Sequence, residues 1–215
     1  MSTHAERLSK VERDQGFPNS RPKDASSIIL LDRKGKTPRV LMGRRHPSHR
    51  FMPNVYVFPG GRLEAHDKTM PVHGVVDTDS ERRLMERVQR PSLGRVRGLA
   101  AAAIRELYEE TGLLLGTREM GAPKAPCEDW SVFETEVVFP NLEALTYVMR
   151  AITPPRRPKR FDTRFFTADA DAVCGEIPGL VGPDSELIEL RWLTFKETDA
   201  LELPPITRVV LEEVQ

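Results

Sequence analysis

Cysteine is nearly absent: Cys127 and Cys174 are the only two in 215 residues. They stand in unlike stretches of chain, which argues for free thiols and against a disulfide framework or a thiolate-bound metal. Neither sign of charge prevails, because 32 Lys and Arg balance 32 Asp and Glu. No whole-molecule pull toward nucleic acid or membrane is expected from a formal net charge of zero. A run of about 18 apolar residues is also missing, and the opening residues Met1–Arg7 lack the apolar stretch of a secretory signal. Nor does the chain close on a Ser-Lys-Leu peroxisomal address. The expectation is a soluble, cytoplasmic protein with neither nucleic acid nor membrane as a partner. No internal repeat is present, and 215 residues suit one domain with a sizeable core.

What the sequence does have is a dense stretch over Gly98–Leu113. At 100° per residue, Leu99, Ala100, Ala103, Ile104 and Leu107 form one apolar stripe, predicting a helix with that stripe toward the core. Glu106, Glu109 and Glu110 fall at i, i+3 and i+4 and share an adjoining sector. Gly112 is the natural stop, which places these carboxylates in the last turns, against the negative end of the helix dipole. Like charges at this spacing cost roughly 0.2–0.5 kcal/mol per pair. A divalent cation with a preference for oxygen ligands removes both penalties. The other reading, a solvated acidic face with Arg105 as local partner, stays open on spacing alone.

Upstream, Val55–Glu64 reads as a β-rich strand running into a Gly60-Gly61 loop that admits close backbone approach. Taken with the helix, these residues resemble the signature of the Nudix hydrolases. Gly61 matches that pattern's opening glycine, and Arg105, Glu106, Leu107, Glu109, Glu110, Gly112 and Leu113 match its second half without a gap. Asp67 stands where the pattern has its first Glu, and 37 residues in place of seven separate it from Arg105, an insertion of 30. Arg50 and Phe58 also match the spacing of the coenzyme A-cleaving branch, with Asn54 at that branch's glycine.

The resemblance implies an α/β fold of the α/β/α sandwich type around a mixed sheet, over residues 25–215, with an insertion at about 68–97 and a polar N-terminal arm over 1–24. It implies hydrolysis of a diphosphate with Mg2+, or Mn2+ in its place. Glu106, Glu109 and Glu110 with the Gly61 carbonyl would hold metal. Arg105 would orient a helix carboxylate, and Glu106 or Glu109 would take the proton of water. Glu64, Asp67, Glu186 and Glu189 are secondary candidates. The favoured substrate is coenzyme A or an acyl derivative; ADP-ribose or another dinucleotide is the alternative, as is a non-catalytic nucleotide-binding module.

Elsewhere, Ala25–Asp32 and Arg39–Arg44 predict a hairpin across the turn at 33–38. The cations Arg44 and Arg50 after it suit a phosphate-bearing small molecule, or simply a solvated loop. In the insertion, 81–89 predicts a short helix with N-cap candidates at 77–80, free to act as a lid, a substrate wall or a homodimer contact. Residues 141–152 have helical spacing. In the basic connector at 154–164, Arg160 and Arg164 are candidates for phosphate. Ser185–Leu193 alternates as a strand does, and Leu203–Val214 opens on prolines as a closing helix does.

Overall fold

The computed structural model describes residues 16–48 and 53–215. Its strands are β1 (Lys23–Asp32), β2 (Arg39–Arg45), β3 (Tyr56–Val57), β4 (Gly60–Arg62), β5 (Leu113–Thr117), β6 (Phe139–Pro140), β7 (Thr146–Ile152), β8 (Phe161–Asp169), β9 (Val173–Glu176) and β10 (Leu187–Thr194). The α-helices are α1 (Thr78–Met85), α2 (Leu93–Thr111), α3 (Ser131–Thr135), α4 (Phe195–Thr198) and α5 (Pro205–Val214). Among the described residues, β10-β2-β1-β8-β7 form the main sheet, with β3 added on β2 and β4 on β1. β1 and β8 pair in parallel while the other ladders are antiparallel, so the sheet is mixed. A smaller sheet runs β6-β5-β9. No helix of the described residues is long and apolar enough to cross a membrane.

β1 is buried from Ala25 through Leu31, as a central strand covered on both faces must be. Its side chains alternate between two cores. Ile28 and Leu30 join the cluster around α2, whereas Ile29 and Leu31 join the one that includes Val210 and Leu211 of α5. These are the two outer layers of the sandwich.

α2 starts at Leu93, five residues ahead of the predicted Gly98, because the Ser92 hydroxyl caps the Arg95 N–H. Its burial departs from a single stripe. Gly98, Ala100, Ala101, Ala102 and Ala103 are buried along with Leu99 and Ile104, so the helix is enclosed on nearly every side. Short side chains let the backbone approach the sheet on one flank and the insertion on another. At its end, Gly112 has φ 81° and its N–H reaches the Tyr108 carbonyl at 2.7 Å. A Cβ there would lie 2.2 Å from the Ile177 carbonyl oxygen. Gly112→Ala is therefore expected to cost at least about 1–2 kcal/mol, read as a lower urea midpoint at unchanged m-value.

Three expectations need correction. Residues 141–152 are a 3-10 turn at Leu142–Ala144 followed by β7, not a helix. Thr146, Val148 and Ile152 are β-branched, and pairing with β8 overrides their helix-like spacing. The insertion's helix spans Thr78–Met85 instead of 81–89: Asp77 caps the Ser80 N–H, and the chain leaves the helix at Glu86, with Arg87 at φ 52°. β1 begins at Lys23, inside the expected arm.

The insertion packs against the sheet edge. Ser80 Oγ accepts the Tyr147 N–H at 2.8 Å, and Arg83 donates to the Tyr147 and Val148 carbonyls at 3.2 and 2.6 Å. Met70, Val76 and Leu84 sit in the α2 core.

Candidate active site

Arg105 is the hub of the site. Its side chain is buried in α2, and each of its five N–H groups has an acceptor. Nε and Nη2 fork onto Asp67 at 2.8 and 3.1 Å, and Nη2 also reaches the Arg62 carbonyl at 2.9 Å. Nη1 donates to Glu106 at 3.0 Å and to Glu109 at 2.8 Å. Burial opposes the charge on Arg105, but the bonds to Asp67 and the fields of Glu106, Asp67 and Glu109 outweigh it and hold the guanidinium protonated. Asp67 is fully buried and accepts two more bonds, from the Trp130 indole at 3.2 Å and the Glu64 N–H at 2.8 Å. The 3-10 turn at Ala65–Lys68 brings Asp67 beneath α2 before the insertion begins, so the 30 extra residues leave this contact intact.

The three helix glutamates differ in surroundings. Burial, reinforced by Glu109 and opposed by Arg105, pushes the Glu106 carboxyl up to about 7. Burial also raises Glu109, against the pull of Arg105. Glu110 is buried and pushed well above the usual range by desolvation and by the nearby charges of Glu186 and Glu106; it accepts the Gly60 N–H at 3.0 Å. Gly61 lies against Glu106 so closely that a Cβ would meet that carboxylate at 2.4 Å. The two glycines thus form a thin wall between the helix carboxylates and the space beyond.

That space is a cleft of about 750 Å³, lined by Gly60, Gly61, Glu106, Glu110, Glu186 and Arg45 at one end. β1 and β8 supply further lining, and Pro204, Ile206 and Thr207 of α5 and the residue before it form a wall. Residues 16–22 also contribute, through Ser20 and Arg21. No residue of the insertion lines it.

No protein-family model matches the chain. Nudix hydrolase 7 of Caenorhabditis elegans is 30% identical over 186 residues, covering 81% of this chain and 52% of the relative. The chain therefore spans about half the length of that curated relative. The crystal structure of a Nudix hydrolase from Alicyclobacillus acidocaldarius matches with a TM-score of 0.63 and 25% identity over 90% of each chain. That of a MutT Nudix hydrolase from Burkholderia pseudomallei matches with a TM-score of 0.51 and 18% identity, over 91% of this chain and all of the other. This chain has the Nudix fold. The relative's name and the structural neighbours together support the Nudix hydrolase family.

Within the Nudix fold, the residues singled out from sequence separate into groups. Glu106, Glu110, Gly61, Glu186 and Phe58 line the cleft, although Phe58 is mostly spent on the α5 core. Glu109 does not line it and stays on Arg105. Arg50 lies outside the described residues. Glu64 is half-exposed and pairs with Arg62 at 3.2 Å. Glu189 accepts from Arg44 at 2.8 Å and from the Tyr56 hydroxyl at 3.0 Å, so these two residues occupy each other beside the cleft's β2 wall.

Arg164 is turned away from the cleft. Alternation along β8 sends Phe161, Thr163 and Phe165 to the cleft face, and Arg164 to the opposite face, where it meets Asp24 at 3.0 Å and Asp162 at 2.9 Å. Arg160 lines the cleft, but its guanidinium is engaged with the Thr153 carbonyl, Asn19 and the Ser20 carbonyl. A basic connector read without strand register cannot distinguish these outcomes. Sequence reading also left out Trp130 as a brace for Asp67, and Lys23 and Pro204 as cleft residues.

Among the described residues, no three acidic, His or Cys side chains stand close enough to enclose a metal ion as they are. The chemistry of the donors nevertheless fits a hard cation. Glu106 and Glu110 are crowded, desolvated carboxylates behind a glycine wall, and Glu186 faces Glu110. Arg105 beside Glu106 and Arg45 beside Glu186 offset this charge only in part, since burial still raises Glu106 and Glu110, and a hard cation would offset the rest.

Proposed function

We propose that the chain is a Mg2+-dependent pyrophosphohydrolase that cleaves a nucleoside diphosphate linked to another group, with coenzyme A or an acyl derivative as favoured substrate. The observation that carries this reading is a single cleft with crowded carboxylates at one end and unpaired cations at the other. A diphosphate is repelled by carboxylates unless a cation lies between them, and the Lys and Arg further out suit a different charged part of the same substrate. Glu106, Glu110, Glu186 and the Gly61 carbonyl would hold the metal, which when bound neutralises phosphate oxygens and makes water more acidic.

The chain's own residues do the rest. Arg105, fixed by Asp67, holds Glu106 and Glu109 in place. Glu106, the one of those two that lines the cleft, is positioned to accept the water proton at a carboxylate oxygen. Phe58, Ile206 and Pro204 exclude water from the flank of the bound molecule.

The test is incubation of the purified chain with Mg2+ and a panel of diphosphates, with products read by mass spectrometry. Cleavage of coenzyme A to phosphopantetheine and adenosine 3′,5′-bisphosphate is expected, and chelation by EDTA is expected to return the rate to background. Cleavage of ADP-ribose alone would keep the chemistry and replace the substrate. Silence across the panel with Mg2+ and Mn2+ would overturn the hydrolase reading.

A further inference from the structure

The carboxylates that line the cleft stand at one end only, where Arg45 and Arg62 accompany them, while the other end holds cations alone, and strand register measures the separation. Its floor is one face of β1 and β8: Lys23, Ala25 and Ser27 from the first, Phe161, Thr163 and Phe165 from the second. Ser26 is level with Gly61 and Ser27 with Gly60, so the glycine wall and the carboxylates behind it mark one end. Lys23 lies three residues back from Ser26, about 10 Å at roughly 3.3 Å per residue, and is level with Phe161.

The acidic lining residues Glu106, Glu110 and Glu186 all belong to the glycine end, since the first two touch the glycines and the third faces Glu110. At the far end stand Arg21, Lys23 and Lys159, exposed and without a side-chain partner among the described residues. Their backbones are nevertheless fixed. The Lys23 N–H donates to the Arg160 carbonyl at 2.9 Å, and the Arg160 guanidinium ties the connector to Asn19 and Ser20. Arg160 is thus a strut holding two segments of like charge side by side, an arrangement that is repulsive until an anion enters. Between the two ends the floor is small, at Ala25, Ser27 and Thr163, leaving room for a sugar and a base beside Phe161.

We propose that Lys23, Lys159 and Arg21 form a second anion subsite that selects substrates carrying a further phosphate beyond the scissile diphosphate, on the side away from the carboxylates, such as a nucleoside diphosphate phosphorylated on its ribose. The position of the scissile group rests on the hydrolase reading above; the subsite itself does not need turnover to be measured.

Calorimetry on the full chain with Mg2+ compares adenosine 3′,5′-bisphosphate with AMP. The bisphosphate is expected to bind roughly tenfold tighter, as one added charge-assisted contact warrants. Lys23→Ala with Lys159→Ala should remove that preference, leave AMP affinity within about twofold and leave the melting temperature unchanged, because both side chains are exposed. In parallel, kcat/KM for coenzyme A over dephospho-coenzyme A should fall toward one in the double variant. Equal affinities in the unaltered chain, or a preference that survives in the double variant, would overturn the subsite. Turnover without the preference would keep the hydrolase and discard the subsite; the preference without turnover would do the reverse.

Discussion

Asp67→Ala is expected to destabilise the fold by about 3–5 kcal/mol, because it leaves the Arg105 charge buried with its forked partner gone. For a chain of this length that is a fall of roughly 10 °C in melting temperature, measurable by calorimetry. The Trp130 indole and the Glu64 N–H lose their acceptor at the same time. Activity should fall with stability, since Arg105 is what holds Glu106 and Glu109. Pairing Asp67→Leu with Arg105→Met separates the two effects. An apolar pair of similar volume can replace a buried ion pair at little cost, so the double variant should recover most of the melting temperature and none of the turnover. A fully active Asp67→Ala protein would remove the brace from the mechanism.

Glu106→Gln and Glu110→Gln are expected to act in the opposite sense on the fold. The Glu106 carboxyl is raised from the usual range to about 7, so the folded chain holds that proton more tightly than the unfolded chain does. Stability in EDTA should therefore be greatest below about pH 4.5 with respect to this group and decline as pH rises toward 7. Glutamine cannot ionise, so Glu106→Gln should be the more stable protein above pH 7, by up to about 3 kcal/mol. Glu110→Gln should behave alike, because its carboxylate is buried opposite Glu186 and beside Glu106. Turnover should fall in each by more than about 100-fold, as when a preorganised charge is taken from an active site. Mg2+ should raise the melting temperature of the unaltered chain at pH 8 and have less effect on either variant. A variant that melts lower than the unaltered chain in EDTA at pH 8 would contradict the crowding argument.

Both predictions concern residues whose types were visible in the sequence and whose roles were not. The spacing of Glu106, Glu109 and Glu110 already placed three carboxylates on one side of a helix ending at Gly112, and the helix does end there. Periodicity could not say that Glu109 would stay on Arg105, outside the cleft, while Glu110 turned toward Glu186. That depends on where β4 and β10 lie relative to α2. Asp67 read as a shortened carboxylate near the metal, whereas packing makes it the buried partner of Arg105. Arg164 and Lys23 exchanged importance for a similar reason. In an isolated sequence both are cations near a strand; once β1 and β8 pair, alternation sends one to Asp24 and Asp162 and the other to the cleft.

The stretch at 141–152 shows the limit of periodicity most plainly. Leu142, Leu145, Val148 and Met149 fit a helix, yet Thr146, Val148 and Ile152 are β-branched and the edge of β8 offers a ladder. A local preference worth tenths of a kcal/mol per residue yields to hydrogen bonds that only the assembled sheet can provide.

By itself the sequence determined the elements that local chemistry controls: the alanine-rich body of α2 and its glycine stop, the hairpin of β1 and β2, the closing helix α5, and the spacing that ties Gly61 to Arg105 and the glutamates. The tertiary structure alone decided which face of each strand meets the cleft, how the insertion docks on β7 instead of covering the site, and which charges neutralise one another before a ligand arrives. Propensity and spacing act over a few residues, but register and burial are settled between segments separated by as much as 155 positions, as Arg39 and Thr194 are.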